Sequence, residues 1–206
     1  SAGKRTASMI GDRDVVVVAG ARTPFIKAGT LLRRVGAVEL GRVAVREAIE
    51  RAEIDADAVD EVIVGNIAGP PDAANVARVI ALEAKIPVKV PAFTVSRNCA
   101  SGIESVVEAA YRIRSGDADL IVAGAVESMS RIPFLFRDDA QELWTSVARA
   151  RSLPARLAAF ARFRPRHFQP VVALELGLTD PVSGLNMGQT AEVLAREFGI
   201  AREDQD

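Results

Sequence analysis

Apolar positions along this chain change period several times, and each change marks an element. Val15-Val16-Val17-Val18 is a β-branched run with no polar residue interleaved, which predicts a strand buried on both faces. Residues 20–36 hold Pro24, three glycines and several basic side chains, the composition of a loop. From 37 to 52 the spacing is helical: Leu40, Ala44, Val45, Ala48, Ile49 and Ala52 share one face and Glu39, Arg42, Arg46 and Glu50 the other. Residues 59–67 predict the next strand, Gly69-Pro70-Pro71-Asp72 breaks it, and a helix follows over about 75–84. A strand over 90–95, a helix from 103 to about 115 closed by Gly116-Asp117, and a buried strand over 120–124 complete the series. Strands alternating with helices of this length predict an α/β fold, a mostly parallel sheet covered by helices. Such sheets place their chemistry at the carboxyl ends of the strands. There is no short internal repeat.

The pattern changes after Pro133. Residues 143–174 contain no acidic side chain, yet Arg149, Arg151, Arg156, Arg162, Arg164 and Arg166 all fall there. Leu153, Leu157, Phe160, Ala161 and Phe163 are interspersed, and Pro154, Pro165 and Pro170 punctuate the stretch. This predicts an inserted loop segment with a short basic amphipathic helix. It is either a solvated cationic face, a cradle for phosphates, or a contact for an anionic membrane or partner. His167, inside it, reads as a surface or loop residue.

Composition narrows the class. Of 206 residues, 49% are hydrophobic and 26% charged, ample for a core and ordinary for a globular protein. A net charge of −1 gives no electrostatic case for nucleic acid. One cysteine excludes an internal disulfide and fits a reducing compartment, so a cytoplasmic setting is expected, or the mitochondrial matrix in a eukaryote. No apolar run approaches the roughly 20 residues that span a bilayer. The polar, basic start lacks the apolar centre of a secretory signal and reads as a flexible arm or cloning remnant over 1–13. No metal site is expected, and the glycine pattern of a dinucleotide loop is absent around Gly20.

Cys99 carries the candidate chemistry. The apolar strand ahead of it and the helical spacing behind place its sulfur at a strand-to-helix junction. Unpaired N–H groups and the positive end of the helix dipole favour a thiolate there, and the thiolate is the nucleophile. A small buried core cysteine is the alternative reading of the same residue.

Four motifs connect these features. Asn98-Cys99-Ala100-Ser101-Gly102 resembles the nucleophile motif of the thiolase family. Gly116-Asp117-Ala118-Asp119 with Ala123-Gly124-Ala125-Val126-Glu127-Ser128-Met129-Ser130 resembles its following strand and loop, and Ala21-Arg22-Thr23-Pro24-Phe25 its first-strand exit. Asn186-Met187-Gly188-Gln189-Thr190-Ala191-Glu192 resembles a later helix start beside the active site. The four keep the family's order and spacing over about 14–206. The arginine-rich segment and Asp180-Pro181-Val182-Ser183-Gly184-Leu185 look most like the 3-ketoacyl-CoA thiolase subunit of fatty-acid β-oxidation.

The resemblance implies a thiolase-like fold with an N-terminal α/β core over 14–132, an inserted loop domain over 133–185, and a return to the core over 186–206. It implies Cys99 as acyl acceptor in an acyl-CoA:acetyl-CoA C-acyltransferase, with acyl-CoA and coenzyme A as substrates and no tightly bound cofactor. Met129, Asn186, Met187, Arg162 and Arg164 are candidate substrate contacts. Asn186 stands where short-chain biosynthetic members often carry His, which either favours longer or broader 3-ketoacyl substrates or is a neutral packing substitution. Family members place a histidine and a second cysteine in a C-terminal half that repeats the fold, so the chain reads as roughly the first half of a thiolase, inactive alone. A homodimer or dimer of dimers, a β-oxidation partner subunit and peripheral membrane contact are expected partners. Arg78 reads as an ion-pair partner near the dimer seam. Acetyl-CoA C-acetyltransferase activity, a ketoacyl synthase-type condensing enzyme and a non-catalytic lipid carrier on the same fold are the alternatives.

Overall fold

The structure is a computed structural model and describes residues 13–206. The expected N-terminal arm lies, apart from Arg13, outside the described residues. They divide into two compact units between Ile132 and Pro133.

The first unit is built on a three-stranded parallel sheet in the order β2-β1-β3, with β1 at Glu61–Gly65, β2 at Ala92–Val95 and β3 at Ile121–Ala125. Every residue of the central strand is buried. Strand alternation sends Val62 and Val64 to one face and Glu61, Ile63 and Gly65 to the other. Helix α2 (Val76–Glu83) packs Val76, Ala77 and Ile80 into one core with Val62 and Val64. Helix α1 (Ala37–Arg51) lies on α2, where Gly41 leaves room for the Ile80 side chain. Helix α3 (Ser101–Ser115) covers the opposite face, and its Arg112 reaches Glu61 at 3.2 Å. Gly116 ends α3 in the left-handed region at φ 82°, which glycine adopts without the Cβ penalty.

Asn75 caps α2 by accepting from Arg78 N–H at 3.2 Å and donates to the Ala92 carbonyl at 2.9 Å, so the cap also fixes β2. Among the described residues Arg78 forms no ion pair. Its guanidinium donates to the carbonyls of Val90 at 2.6 Å and Val88 at 2.8 Å, closing the loop between α2 and β2.

Residues 15–18 depart further from expectation. Among the described residues they form no strand and none pairs with them, and Val17 is 86% exposed. A cavity of about 370 Å³ lined by residues 14–21 and by β3 separates the two. A strand of a buried sheet needs another strand paired beside it, and among the described residues the run has none.

The second unit is mostly helical. Strands β4 (Phe134–Leu135) and β5 (Val171–Val172) pair antiparallel, and helix α4 (Asp138–Arg149) carries Trp144. That indole packs against Phe136, Phe160, Phe163 and Phe168 with ring centroids 4.9–6.4 Å apart. Helix α5 (Leu153–Phe160) is the predicted short basic helix, capped by Ser152. Helices α6 (Ala173–Leu178), α7 (Met187–Phe198) and α8 (Arg202–Gln205) follow. Among the described residues, no helix is long and apolar enough to cross a membrane.

Candidate active site

The turn carrying Cys99 is held from both of its ends. After β2 stops at Val95, Asn98 adopts φ 47°, a left-handed conformation that asparagine tolerates better than most residues. The Ser101 hydroxyl accepts from Arg97 N–H and donates to the Asn98 carbonyl, both at 2.7 Å. Ala100 N–H donates to the Arg97 carbonyl at 3.0 Å, tightening the loop further. Helix α3 then begins at Ser101 behind Ala100, whose methyl side chain cannot cap it. The result is an exposed Cys99 at a strand-to-helix junction, as the sequence predicts, and not a buried core thiol.

The sheet beneath sets this turn's position. A Cβ on Gly65 would collide with the Ser101 carbonyl, and one on Gly102 would lie 3.3 Å from the Ala125 Cβ. Ends of β1 and β3 and the start of α3 therefore meet at the carboxyl edge of the sheet, where such folds place their chemistry.

Two polar side chains that sequence reasoning did not single out lock the loops beside it. Buried Asn66 donates through Nδ2 to the Val126 carbonyl at 2.8 Å and to Glu127 Oε1 at 2.9 Å. The Glu127 carboxylate also accepts from Ile67 N–H and Ala68 N–H, each at 3.0 Å. One carboxylate thus satisfies the first donors of the loop leaving β1. The available signal was positional: a carboxylate directly after a buried strand must find donors. Ser128 Oγ donates to the Val35 carbonyl at 2.7 Å, and Ser130 Oγ accepts from Gly29 N–H at 2.9 Å. Residues 21–28 and 125–130 consequently face each other across a cavity of about 620 Å³. Two of the four sequence motifs meet there, and the Arg22 guanidinium lies 5.1 Å from the Phe25 ring centre.

The other candidates fall as follows. Met129 lines that cavity and is exposed. Asn186 is the N-cap of α7 and shares a reciprocal pair with Gln189, at 2.9 and 3.0 Å, so its side chain is engaged in capping. Met187, Arg162 and Arg164 are exposed in the second unit. His167 overturns its expectation as a surface residue: it is 4% exposed, edge-on to Phe163. Its Nδ1 accepts from Arg164 N–H at 3.1 Å and its Nε2 from Arg166 Nε–H at 3.2 Å, with Asp139 Oδ2 3.5 Å from the same Nε2. Aromatic packing and these contacts bury a residue whose arginine-rich neighbours suggested solvent. Among the described residues, no group of three or more His, Cys, Asp or Glu side chains is placed to hold a metal ion.

Comparison with known proteins places this geometry. Residues 15–206 match the family described as Thiolase, N-terminal domain. The chain is 37% identical over 196 residues to the 3-ketoacyl-CoA thiolases of Yersinia pestis and Yersinia pseudotuberculosis, covering 95% of this chain and 44% of each relative. Among solved structures it resembles the acetyl-CoA acetyltransferase of Bacillus anthracis, with a TM-score of 0.76, 32% identity, and coverage of 92% of this chain and 43% of that one. It also resembles the Acat5 thiolase of Ascaris suum in complex with coenzyme A, with a TM-score of 0.75, 29% identity, and coverage of 93% and 44%. The chain belongs to the thiolase family. It spans less than half the length of the curated relatives it matches.

Proposed function

We propose that Cys99 is the acyl acceptor of a 3-ketoacyl-CoA thiolase. One observation carries the reading: an exposed cysteine on a braced left-handed turn, at the carboxyl edge of a parallel sheet, inside the region that matches the thiolase N-terminal domain. The Cys99 thiolate attacks the keto carbon of a 3-ketoacyl-CoA. The bond between that carbon and the α-carbon breaks, and acetyl-CoA leaves as an enolate that takes up a proton. The acyl group stays on Sγ as a thioester. Free coenzyme A, deprotonated by a base, attacks that thioester, releases acyl-CoA and returns the thiolate. Backbone N–H groups at the start of α3 supply a donor to the oxyanion of the covalent step.

The base and the proton donor are assigned to polypeptide that the relatives have and residues 13–206 do not include. His167, the chain's only histidine, is held by Arg164 and Asp139 in the second unit and is not assigned either role. The relatives named 3-ketoacyl-CoA thiolase, together with Asn186 in place of His, support longer or broader 3-ketoacyl substrates used in β-oxidation. The acetyl-CoA acetyltransferase name of a structural neighbour supports the shorter acetoacetyl-CoA as the second reading. A homodimer or dimer of dimers is the proposed assembly.

The test joins this chain to the part of the Yersinia pestis thiolase that it does not match, so that base and donor are present. There Cys99→Ser should lower kcat at least about 10³-fold with an unchanged circular dichroism spectrum. Turnover within about tenfold of the parent would reject the assignment.

A further inference from the structure

We propose that Asn66 and Glu127 are positioning residues for Cys99, their paired side chains locking the carboxyl ends of the three strands on which the cysteine turn rests. The proposal deepens the reading of Cys99 as the acyl acceptor and rests on it. Asn66 follows β1 directly, is 5% exposed, and reaches all three strand ends. Its backbone N–H donates to the Val95 carbonyl at 3.1 Å, at the end of β2. Its Nδ2 donates to the Val126 carbonyl at 2.8 Å and to Glu127 Oε1 at 2.9 Å, both just past β3. Both amide hydrogens therefore meet oxygen acceptors, which fixes the orientation of the amide. Glu127 in turn gathers three donors: Asn66 Nδ2 and the N–H groups of Ile67 and Ala68.

The cysteine turn stands on those strand ends. Gly65 lies against the Ser101 carbonyl and Gly102 against the Ala125 Cβ, so β1 and β3 both touch the start of α3. Cys99 comes four residues after Val95, and Asn98 between them holds φ 47°. A non-glycine residue stays in that region only where its surroundings over-determine it. With the strand ends loosened, β2 and α3 can part and Asn98 can relax to ordinary backbone. The sulfur then moves away from the N–H groups at the start of α3. The apolar core under β1 is complete without this pair, since Val62, Val64, Val76 and Ile80 are buried against one another. What the pair adds is direction: charge-assisted hydrogen bonds that join loops 60 residues apart in sequence.

The experiment reads Cys99 directly. It is the one cysteine of the 206-residue chain, so alkylation by iodoacetamide reports that thiol alone. In Glu127→Gln, which keeps the side-chain shape, and in Asn66→Ala, the rate at about pH 7 should fall about two- to fivefold. The curve of rate against pH should move to higher pH, because a displaced sulfur loses the donors that favour its thiolate. Asn75→Ala is the control: it removes the α2 cap and a bond to β2, so it should lower the denaturation midpoint and leave the alkylation curve in place. In the chain joined to the unmatched part of the Yersinia pestis thiolase, Glu127→Gln should lower kcat about 100-fold with KM for the 3-ketoacyl-CoA within about threefold of the parent. The double variant should lose no more than the worse single one, since the two side chains act as a unit. An unmoved alkylation curve in Glu127→Gln with a native circular dichroism spectrum would overturn the proposal, as would the same shift in Asn75→Ala. Turnover by the joined Cys99→Ser protein would reject the acyl-acceptor reading. Its loss there, with kcat unchanged in Glu127→Gln, would reject the positioning role alone.

Discussion

Gly65 decides how closely the cysteine turn approaches the sheet. It ends the buried central strand, and the Ser101 carbonyl occupies the space a Cβ would need. Because that neighbour is backbone at the first turn of α3, it cannot swing aside as a side chain would. Gly65→Ala should therefore destabilise the protein by about 1–3 kcal/mol, read as a lowered denaturation midpoint, and should displace the Cys99 turn. Gly124→Ala is the matched control on β3: nothing lies within 4 Å of the position its Cβ would take, and stability should stay within about 0.5 kcal/mol of the parent. Equal effects at the two glycines would mean that close approach to Ser101 is not what Gly65 provides. The position of Cys99 itself was legible in the sequence, since a short apolar strand followed by helical spacing leaves only one kind of junction between them. What braces the turn was not. The Ser101 hydroxyl bonds and the left-handed Asn98 depend on backbone directions that no period encodes.

At the scale of elements, the sheet's start shows two neighbouring carboxylates driven in opposite directions. Asp60 accepts from Asp119 N–H at 2.8 Å and Leu120 N–H at 2.9 Å, which holds it below its ordinary value of 3.8 and ties β1 to the entry of β3. Burial pushes Glu61 upward from 4.5, against the opposing pull of Arg112. The signs follow by linkage. Asp60 contributes stability above pH 3.8 that is lost as pH falls through its lowered folded value, whereas the Glu61 contribution is present below pH 4.5 and declines as pH rises through its raised one. Asp60→Asn should lower stability at neutral pH and flatten the acid limb of the denaturation midpoint, while Glu61→Gln should leave that limb in place. An unchanged acid limb in Asp60→Asn would remove Asp60 from the account. Most elements were legible because their burial repeats at the helical period, as in α1, or fills a short apolar run throughout, as in β1. Residues 15–18 misled because a β-branched run states a preference for strand but not the presence of a neighbour to pair with. His167 misled for the opposite reason: charged neighbours in sequence hid an aromatic core assembled around Trp144.

Residues 15–206 match the thiolase N-terminal domain, and at the scale of this whole chain helix α3 exposes a large apolar face at Ile103, Val106, Val107 and Tyr111. An uncovered face of that kind drives association. Light scattering of the 206-residue chain should show mass rising with concentration, and Ile103→Asp with Val107→Asp should suppress the rise. A mass independent of concentration would show that the face does not self-associate. Thiolysis by the same chain alone should be at or near background, because the base and the proton donor of the proposed reaction are not assigned to it. Robust turnover would require a base among the residues described. The central claim is covalent chemistry at Cys99, and one measurement reaches it directly. The chain joined to the unmatched part of the Yersinia pestis thiolase is incubated with labelled acetyl-CoA, quenched in acid and digested with trypsin, which cuts after Arg97 and Arg112. The account predicts the label on the peptide that begins at Asn98, attached to Cys99 and absent from Cys99→Ser. Label on any other residue, or equal labelling of the Cys99→Ser protein, would contradict it.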